Sequence, residues 1–543
     1  MYNCPNCSGN LSFDIASQTL MCDYCKTQLD PYEYQKTQDA EENDMFGVTV
    51  FTCPQCGGEI MTTNVTAAGF CTYCGASTIL DSRMSSEKRP AHIIPFSLTK
   101  EDCRKSYTSL VKKALFAPRE FRNPEFLDRF RGIYIPYWVY NYSFGGDMNL
   151  TGTKSYRRGD YIITEHYNLY GEIDGDYKGL THDASSSFDD NVAAAIAPFE
   201  AARMKPFTPS FLCGFYADAP DVDSAVYEED ILDTISEDSI NRLSGVSIYR
   251  NAGVTMPSTD DFKSKLRGSS LNIKKEEPVC AYLPVWFLTY RNKDRVAYAV
   301  MNGSTGKLTA DLPVDTRKYL LGSILLAVPL FGILAFLFTL TGQMVLTASS
   351  VLALISLVLY GTEISAISAK DSRSGDKGFR SDSDHRAQPG RASGPKKKFS
   401  LGSFIPRAAG MLWFLVVLIM FFFNMMSDTS FISDIGFTGF KIYGGLSLAV
   451  LLGLLIYAYT SAKTEMARKN LFLNSLGAIL AVIASGVILI WNPVSDLWFY
   501  GGSILSAIGV CLTFIGIINK YNILATRPLP TFYDRKGGND RAK

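Results

Sequence analysis

Eight of the twelve cysteines fall within the first 74 residues, and they fall in pairs. Cys4 and Cys7 form a C-x-x-C turn, and Cys22 and Cys25 form a second one after 14 intervening residues. The same arrangement recurs at Cys53, Cys56, Cys71 and Cys74, each displaced from its counterpart by 49 residues, so the segment is an internal duplication. A C-x-x-C turn aims two thiolates at one metal, and a hairpin between two such turns completes a tetrahedron. Pro5 and Pro54 sit inside the first turn of each copy, and Gly57-Gly58 allows close backbone approach in the second. The spacing predicts two structural Zn2+ sites of four cysteines each. Four thiolates leave no open position for chemistry on the metal.

The competing reading, disulfide pairing, needs an oxidising compartment, and the topology argued below places this end in the reducing cytosol. A redox C-x-x-C is expected once, beside a βαβ pattern, rather than as two matched pairs. Cys103, Cys213, Cys280 and Cys511 are scattered and read as inert thiols. Zinc ribbons often bind nucleic acid, but residues 1–90 hold eleven acids against five bases, a net charge of −6. Phosphate binding draws its affinity from the opposite sign, so the charge disfavours nucleic acid and favours protein contact.

These ribbons are carried by a chain of 543 residues whose net charge of zero hides a strong segregation. Residues 1–318 read as soluble protein, and no charged n-region followed by an apolar stretch opens the chain, so a cleaved signal peptide is not expected. Beyond residue 318, apolar runs of spanning length occur at Tyr319–Thr341, Met344–Ala369, Pro406–Met426, Lys441–Thr460, Leu473–Trp491 and Trp498–Lys520. About 20 residues cross a bilayer as helix, so the expected count is six spans. Arg317–Lys318, the connection 370–400, Lys463 with Arg468 and Lys469, and the tail after Lys520 carry the bases, whereas the alternate connections carry none. The positive-inside rule then puts both termini in the cytoplasm and the chain in the inner membrane. Gly477, Ala481, Ala484 and Ser485, and Gly502, Gly509 and Gly516, read as faces where helices approach closely. Residues 370–400 have nine bases and four acids and few aliphatics, the composition of a disordered linker. Lys396, Lys397 and Lys398 at its end either contact anionic lipid headgroups or serve only to fix topology.

The middle of the chain reads as α+β. Thr99 and Asp102 resemble the N-cap of a helix running to about Phe116, and a second helix is expected over Asp223–Leu243. Strands are expected at Gly132–Tyr142, Tyr161–Tyr170, Val279–Tyr290 and Arg295–Asn302. An echo links Tyr134-Ile135-Pro136-Tyr137-Trp138 to Tyr282-Leu283-Pro284-Val285-Trp286, as in equivalent strands of two half-repeats. No catalytic set emerges. Gly303-Ser304-Thr305-Gly306-Lys307-Leu308 fails as a phosphate loop, because Leu308 stands where Ser or Thr is required, and it reads as a hairpin turn. His92, His166 and His182 read as isolated.

Several segments together resemble a known family: Arg89-Pro90-Ala91-His92-Ile93-Ile94-Pro95-Phe96, Leu115-Phe116-Ala117-Pro118, Gly132 to Trp138, Tyr282 to Trp286, and Val300 to Lys307. They are similar to bacterial double zinc-ribbon membrane proteins with transcription-factor-IIB-type ribbons, often labelled primosomal or helicase-like, over residues 1 to about 315. The resemblance implies partners among SPFH (flotillin-like) and phage-shock-protein-A-like proteins, in envelope organisation or stress response.

The expected architecture is therefore multidomain. It comprises two small zinc ribbons (1–35 and 48–85), a cytosolic α+β domain (91–318), and an α-helical membrane domain of six spans (319–369 and 405–520). The basic linker (370–400) and a cytoplasmic tail (521–543) complete it. The expected function is a non-enzymatic adaptor or scaffold with protein partners, a homo-oligomer being one expectation. A membrane-tethered nucleic-acid-binding protein and a transporter or channel regulated by its ribbons are the alternatives.

Overall fold

The computed structural model describes residues 2–37, 45–62, 71–76, 81–268, 271–337, 341–371, 376–377, 430–461, 465–530 and 532. The first ribbon builds its own three-stranded sheet from β1 (Leu11–Asp14), β2 (Thr19–Cys22) and β3 (Gln28–Leu29), followed by α1 (Pro31–Thr37). The second contributes β4 (Met45–Thr52), β5 (Glu59–Thr62) and β6 (Asp81–Lys88) to a 13-stranded mixed sheet that dominates the molecule.

The centre of that sheet is β8 (Arg131–Arg158), paired with β9 (Tyr161–Asp183) on one edge and with β13 (Val279–Asn292) on the other. β13 turns back into β14 (Arg295–Asn302). The half-repeat echo has a structural counterpart. Tyr134 lies opposite Pro284 and Pro136 opposite Tyr282, so the two Y-x-P segments pair about a local two-fold axis through Ile135 and Leu283. Trp138 and Trp286 both donate their indole N–H to a backbone carbonyl, Val222 at 2.8 Å and Leu98 at 2.9 Å. β7 (His92–Ile93) joins β13, and β10 (Lys205–Pro206) joins β7. β11 (Tyr216–Ala217) bridges β8 to β5, which fuses the second ribbon into the sheet.

The helix expected after Thr99 is α2 (Lys100–Lys113), with the capping box formed: Asp102 N–H donates to the Thr99 hydroxyl at 3.3 Å, and Thr99 N–H donates to Asp102 at 3.1 Å. It stops short of Phe116 because Pro118 follows closely and a helix cannot run into a proline. A 3-10 turn at Ser224–Tyr227 leads into α4 (Glu228–Gly245), after the short α3 (Asp190–Ile196). Gly303–Gly306 is a hairpin turn, with Asn302 accepting from the Ser304 and Thr305 N–H groups at 2.9 and 3.0 Å. β12 (Asn272–Lys275) pairs with β8, and β15 (Leu308–Ala310) pairs with β14.

The expectation of six spans is overturned. Among the described residues two helical segments are long and apolar enough to cross a membrane, Gly342–Gly361 and Asp496–Leu524. Phe440–Ile456 and Ser475–Trp491 are apolar but no longer than 17 residues. The helices themselves are α5 (Thr316–Leu337), α6 (Gly342–Asp371), α7 (Ser430–Ser461), α8 (Glu465–Trp491) and α9 (Asp496–Leu524). The first turns of α8 hold Glu465, Arg468 and Lys469, and the turn at Asn492 and Pro493 stops it. α5 contains Pro329, where a backbone hydrogen bond is lost. The expected run Pro406–Met426, the connection from 378 through Lys396–Lys398, and residues 533–543 lie outside the described residues.

Close helix packing follows the small residues. A Cβ added at Gly477 would meet the Gly509 carbonyl oxygen at 2.9 Å, and Ser485 and Ser506 share a hydrogen bond of 2.8 Å. The chain beyond α9 is not a free tail. β16 (Arg527–Pro528) pairs with β14, and Arg527 is largely enclosed between Asp189 at 2.6 Å and Asp311 at 3.2 Å. The start of α5 and the end of α9 are tied together, since Asn522 both accepts from and donates to the Val314 backbone.

Candidate metal centres

Each of the four C-x-x-C turns is closed by the same two backbone bonds. The N–H of the fourth residue after the leading cysteine donates to that cysteine's carbonyl: Ser8 to Cys4, Lys26 to Cys22, Gly57 to Cys53 and Gly75 to Cys71, at 2.8–3.1 Å. The leading cysteine's N–H donates in turn to the fifth residue, as Cys4 does to Gly9 and Cys53 to Gly58. Closing so tight a knuckle demands a left-handed residue at the fourth position. Ser8, Lys26, Gly57 and Gly75 all adopt it, with φ of 57°, 58°, 74° and 69°.

These knuckles gather the eight sulfurs into two groups, each with its ligand atoms within 4.8 Å of one another. In the first, Cys4 and Cys25 lie 3.5 Å apart, and Cys7 lies 3.4 Å from both Cys22 and Cys25. In the second, Cys53–Cys74 and Cys56–Cys71 are 3.8 and 3.7 Å apart. A disulfide would place two sulfurs about 2.0 Å apart. A tetrahedral cation bound by sulfur at about 2.3 Å sets them about 3.8 Å apart. The geometry therefore fits two zinc ribbons. Cys103, Cys213, Cys280 and Cys511 stand outside both groups.

The surroundings differ. Cys7 and Cys25 of the first group are exposed, whereas all four sulfurs of the second are buried. Hydrogen bonds from the Thr27 hydroxyl and amide pull the Cys25 thiol down to about 6, which favours the thiolate a metal needs. The first ribbon rests on the sheet domain through β1, the turn after it and α1, where Tyr32 donates to the Pro206 carbonyl at 3.0 Å. Phe13 meets the Phe211 ring at 5.2 Å and donates its N–H to the Cys213 carbonyl, and Gln18 donates to the Phe96 carbonyl at 2.8 Å.

The second is enclosed. The Tyr73 hydroxyl donates to Asp218 at 2.7 Å, and the Tyr298 hydroxyl donates to the Tyr73 carbonyl at 2.8 Å. Arg291 donates to Gln55 at 2.7 Å. From the far end of the chain, Phe532 closes the cluster: its N–H donates to the Cys56 carbonyl at 2.7 Å and its ring meets Tyr73 at 5.6 Å.

A third group of donors was not legible as a motif. His182 and Asp183 end β9, and Asp190 opens α3, and their ligand atoms lie within 4.8 Å of one another. His182 is thus not isolated, whereas His166 stands out on the β8–β9 arm and His92 is half-buried in β7. Only the adjacency His182-Asp183 could have signalled the group, since Asp190 is brought in by the return of the chain. Burial opposes protonation of His182, but the adjoining Asp183 carboxylate outweighs it and raises the imidazole. Burial likewise raises Asp183, and together with the Asp183 charge it raises Asp190 to about 7.

No family model matches the chain, and no solved structure matches it. A protein of Bacillus subtilis (strain 168), the uncharacterized protein YdjG, is 26% identical over 321 residues, covering 58% of this chain and 91% of that protein. The likeness takes in nearly all of the relative and a little over half of the present chain.

Proposed function

We propose that the chain is a membrane-anchored, zinc-stabilised adaptor that docks protein partners through its first ribbon. One observation carries this reading. Tyr24 and Tyr73 are equivalent under the 49-residue duplication, each lying between the last two cysteines of its ribbon. Tyr73 is 1% exposed, engaged by Asp218 and Phe532, whereas Tyr24 is 77% exposed. Locally the two are alike: a Cβ at Gly9 or Gly58 would strike the ring of Tyr24 or Tyr73, so each tyrosine lies over its own glycine. In one copy this ring is where another part of the chain docks. In the other the same surface faces outward, beside exposed Cys7 and Cys25. By analogy with the second ribbon, the first is suited to an extended segment offering an aromatic side chain, with an acceptor for the tyrosine hydroxyl.

Gly342–Gly361 and Asp496–Leu524 supply the anchor in this reading. The ends of the apolar helices nearest the sheet carry Lys318, which donates to the Ala117 carbonyl, and Arg527, which is set in the sheet. Cations there support a cytoplasmic placement of the domain at the inner membrane. Zinc is the metal that four thiolates at this spacing suit best. SPFH and phage-shock-protein-A-like proteins, implied by the family resemblance, are the partners to test first.

The test places a photo-cross-linking amino acid at Tyr24 of the full-length protein in native membranes. The expected result is a stoichiometric protein adduct, reduced at least tenfold by Asp23→Lys, with an unchanged melting temperature. Steep salt-dependent binding of nucleic acid by the same surface, or no protein adduct, would overturn the reading.

A further inference from the structure

The buried polar groups outside the ribbons converge at one place, the end of β9. Asp183 there is fully buried, and neither carboxylate oxygen has a hydrogen-bond partner. A carboxylate withdrawn from water in this way calls for a compensating cation, either the His182 imidazolium beside it or a metal ion. His182 Nδ1 stands 3.1 Å from Asp183 Oδ1 without the alignment of a hydrogen bond between them. Cis ligands of an octahedral cation at about 2.1 Å stand about 3.0 Å apart, so the spacing suits two ligands of one metal.

Asp190 supplies the third donor, and its carboxylate is held in place by a set of neighbours. The Tyr227 hydroxyl donates to one oxygen at 3.2 Å, and the Lys377 N–H donates to the other at 2.8 Å. The Tyr227 ring also stacks on the His182 ring at 3.7 Å and 17°, which fixes the imidazole orientation. Such outer contacts are what hold the ligands of a metal centre in position. The nearby cations are otherwise engaged: Arg527 with Asp189 and Asp311, Lys377 with Asp230. Asp376, also buried, adds negative charge beside Tyr227.

We infer that His182, Asp183 and Asp190 form a third metal site, one that takes a divalent cation preferring nitrogen and oxygen donors, such as Mn2+. Its donor set differs from the thiolate sites, so the two classes of site select different metals. Three protein ligands leave positions for water or a small anionic ligand. The site joins β9, α3, the approach to α4 and the Asp376–Lys377 segment that follows α6, so its occupancy ties the sheet domain to the chain leaving the apolar helices.

The experiment uses the full-length protein in detergent with both cysteine sites loaded with zinc. Mn2+ is titrated in and its free form is read by electron paramagnetic resonance. One saturable Mn2+ per chain is expected. Asp190→Asn and His182→Gln should each weaken it at least tenfold, and His166→Gln, on the exposed β8–β9 arm, should leave it unchanged. A third equivalent of metal in the protein as purified, lost on Asp190→Asn, would support the site equally. Asp183→Asn keeps the test independent of folding. Without Mn2+ this variant should melt above the wild type, because an uncompensated buried charge is gone. With Mn2+ only the wild type should gain. A plain His–Asp ion pair gives the reverse: Asp183→Asn melts lower, and Mn2+ shifts neither protein. That result, or Mn2+ binding indifferent to Asp190→Asn and His182→Gln, overturns the inference.

Discussion

Two copies of one motif sit in this chain in opposite circumstances. The first ribbon keeps its own three-stranded sheet and shows two of its four sulfurs to solvent. The second has surrendered its strands to the large sheet and shows none. The knuckles are the same, bond for bond, so the metal geometry does not account for the contrast. What differs is what surrounds the knuckle. Around the second, Asp218, Tyr298 and Phe532 arrive from distant parts of the chain and make the ribbon part of a core. Around the first, β1 and α1 rest on the sheet domain through Phe13, Tyr32 and Gln35, while Cys7, Tyr24 and Cys25 face outward. The same knuckle is thus built into a core in one copy and left exposed in the other, and burial makes the difference.

The sharpest way to break this comparison is to remove one ligand from each copy. Cys71→Ser should cost the sheet domain about 4 kcal/mol or more, because metal binding and core packing are lost together. Cys25→Ser should cost about 1–2 kcal/mol and leave the main cooperative transition intact, as read by calorimetry. Equal losses would mean that both ribbons are structural in the same sense. Next come the equivalent tyrosines. Tyr73→Ala should destabilise by about 3–5 kcal/mol, as large aromatic truncations in a core do. Tyr24→Ala should stay within about 0.5 kcal/mol, as surface changes do. Chemical denaturation of the two variants side by side decides it.

Metal release offers a kinetic version. With 4-(2-pyridylazo)resorcinol as the indicator, zinc should leave in two equal phases, the first ribbon at least about tenfold faster, a barrier difference of about 1.4 kcal/mol. A single phase would show that exposure of Cys7 and Cys25 does not govern access. Effects of a similar size belong to the left-handed positions. Gly75→Ala should destabilise by about 1–2 kcal/mol, since φ there is +69° and the added Cβ would press on Arg291 and Thr289 at 3.2 Å. Lys26→Gly should stabilise the first ribbon by up to about 1 kcal/mol through relief of the same backbone strain. Thermal melts of the two variants should therefore move in opposite directions.

Much of this was legible beforehand, and the boundary has a physical origin. The cysteine pairs declare themselves because ligand spacing is local: a knuckle spans six residues and its bonds close within it. The α2 cap, the two strands β13 and β14 and the Gly303–Gly306 turn were legible for the same reason. The Y-x-P echo hinted at paired strands, although the register about Ile135 and Leu283 needed the sheet itself. The count of six spans is replaced, among the described residues, by two helical segments long and apolar enough to cross a membrane and two shorter apolar ones. No local pattern marked His182, Asp183 and Asp190 as one group, or the last strand as part of the sheet.

The sequence by itself determined the two tetracysteine sites, their duplication, the acidic charge around them and the strongly apolar character of the second half. These depend on residue type and short spacing alone. Only the tertiary structure decided which ribbon is buried, because Asp218, Tyr298 and Phe532 lie 145, 225 and 459 residues from Tyr73 along the chain. It also decided that a buried carboxylate at Asp183 meets an imidazole and a second carboxylate. Burial and long-range juxtaposition are properties of packing, and they turned one repeated motif into a structural staple in one place and an outward-facing surface in the other.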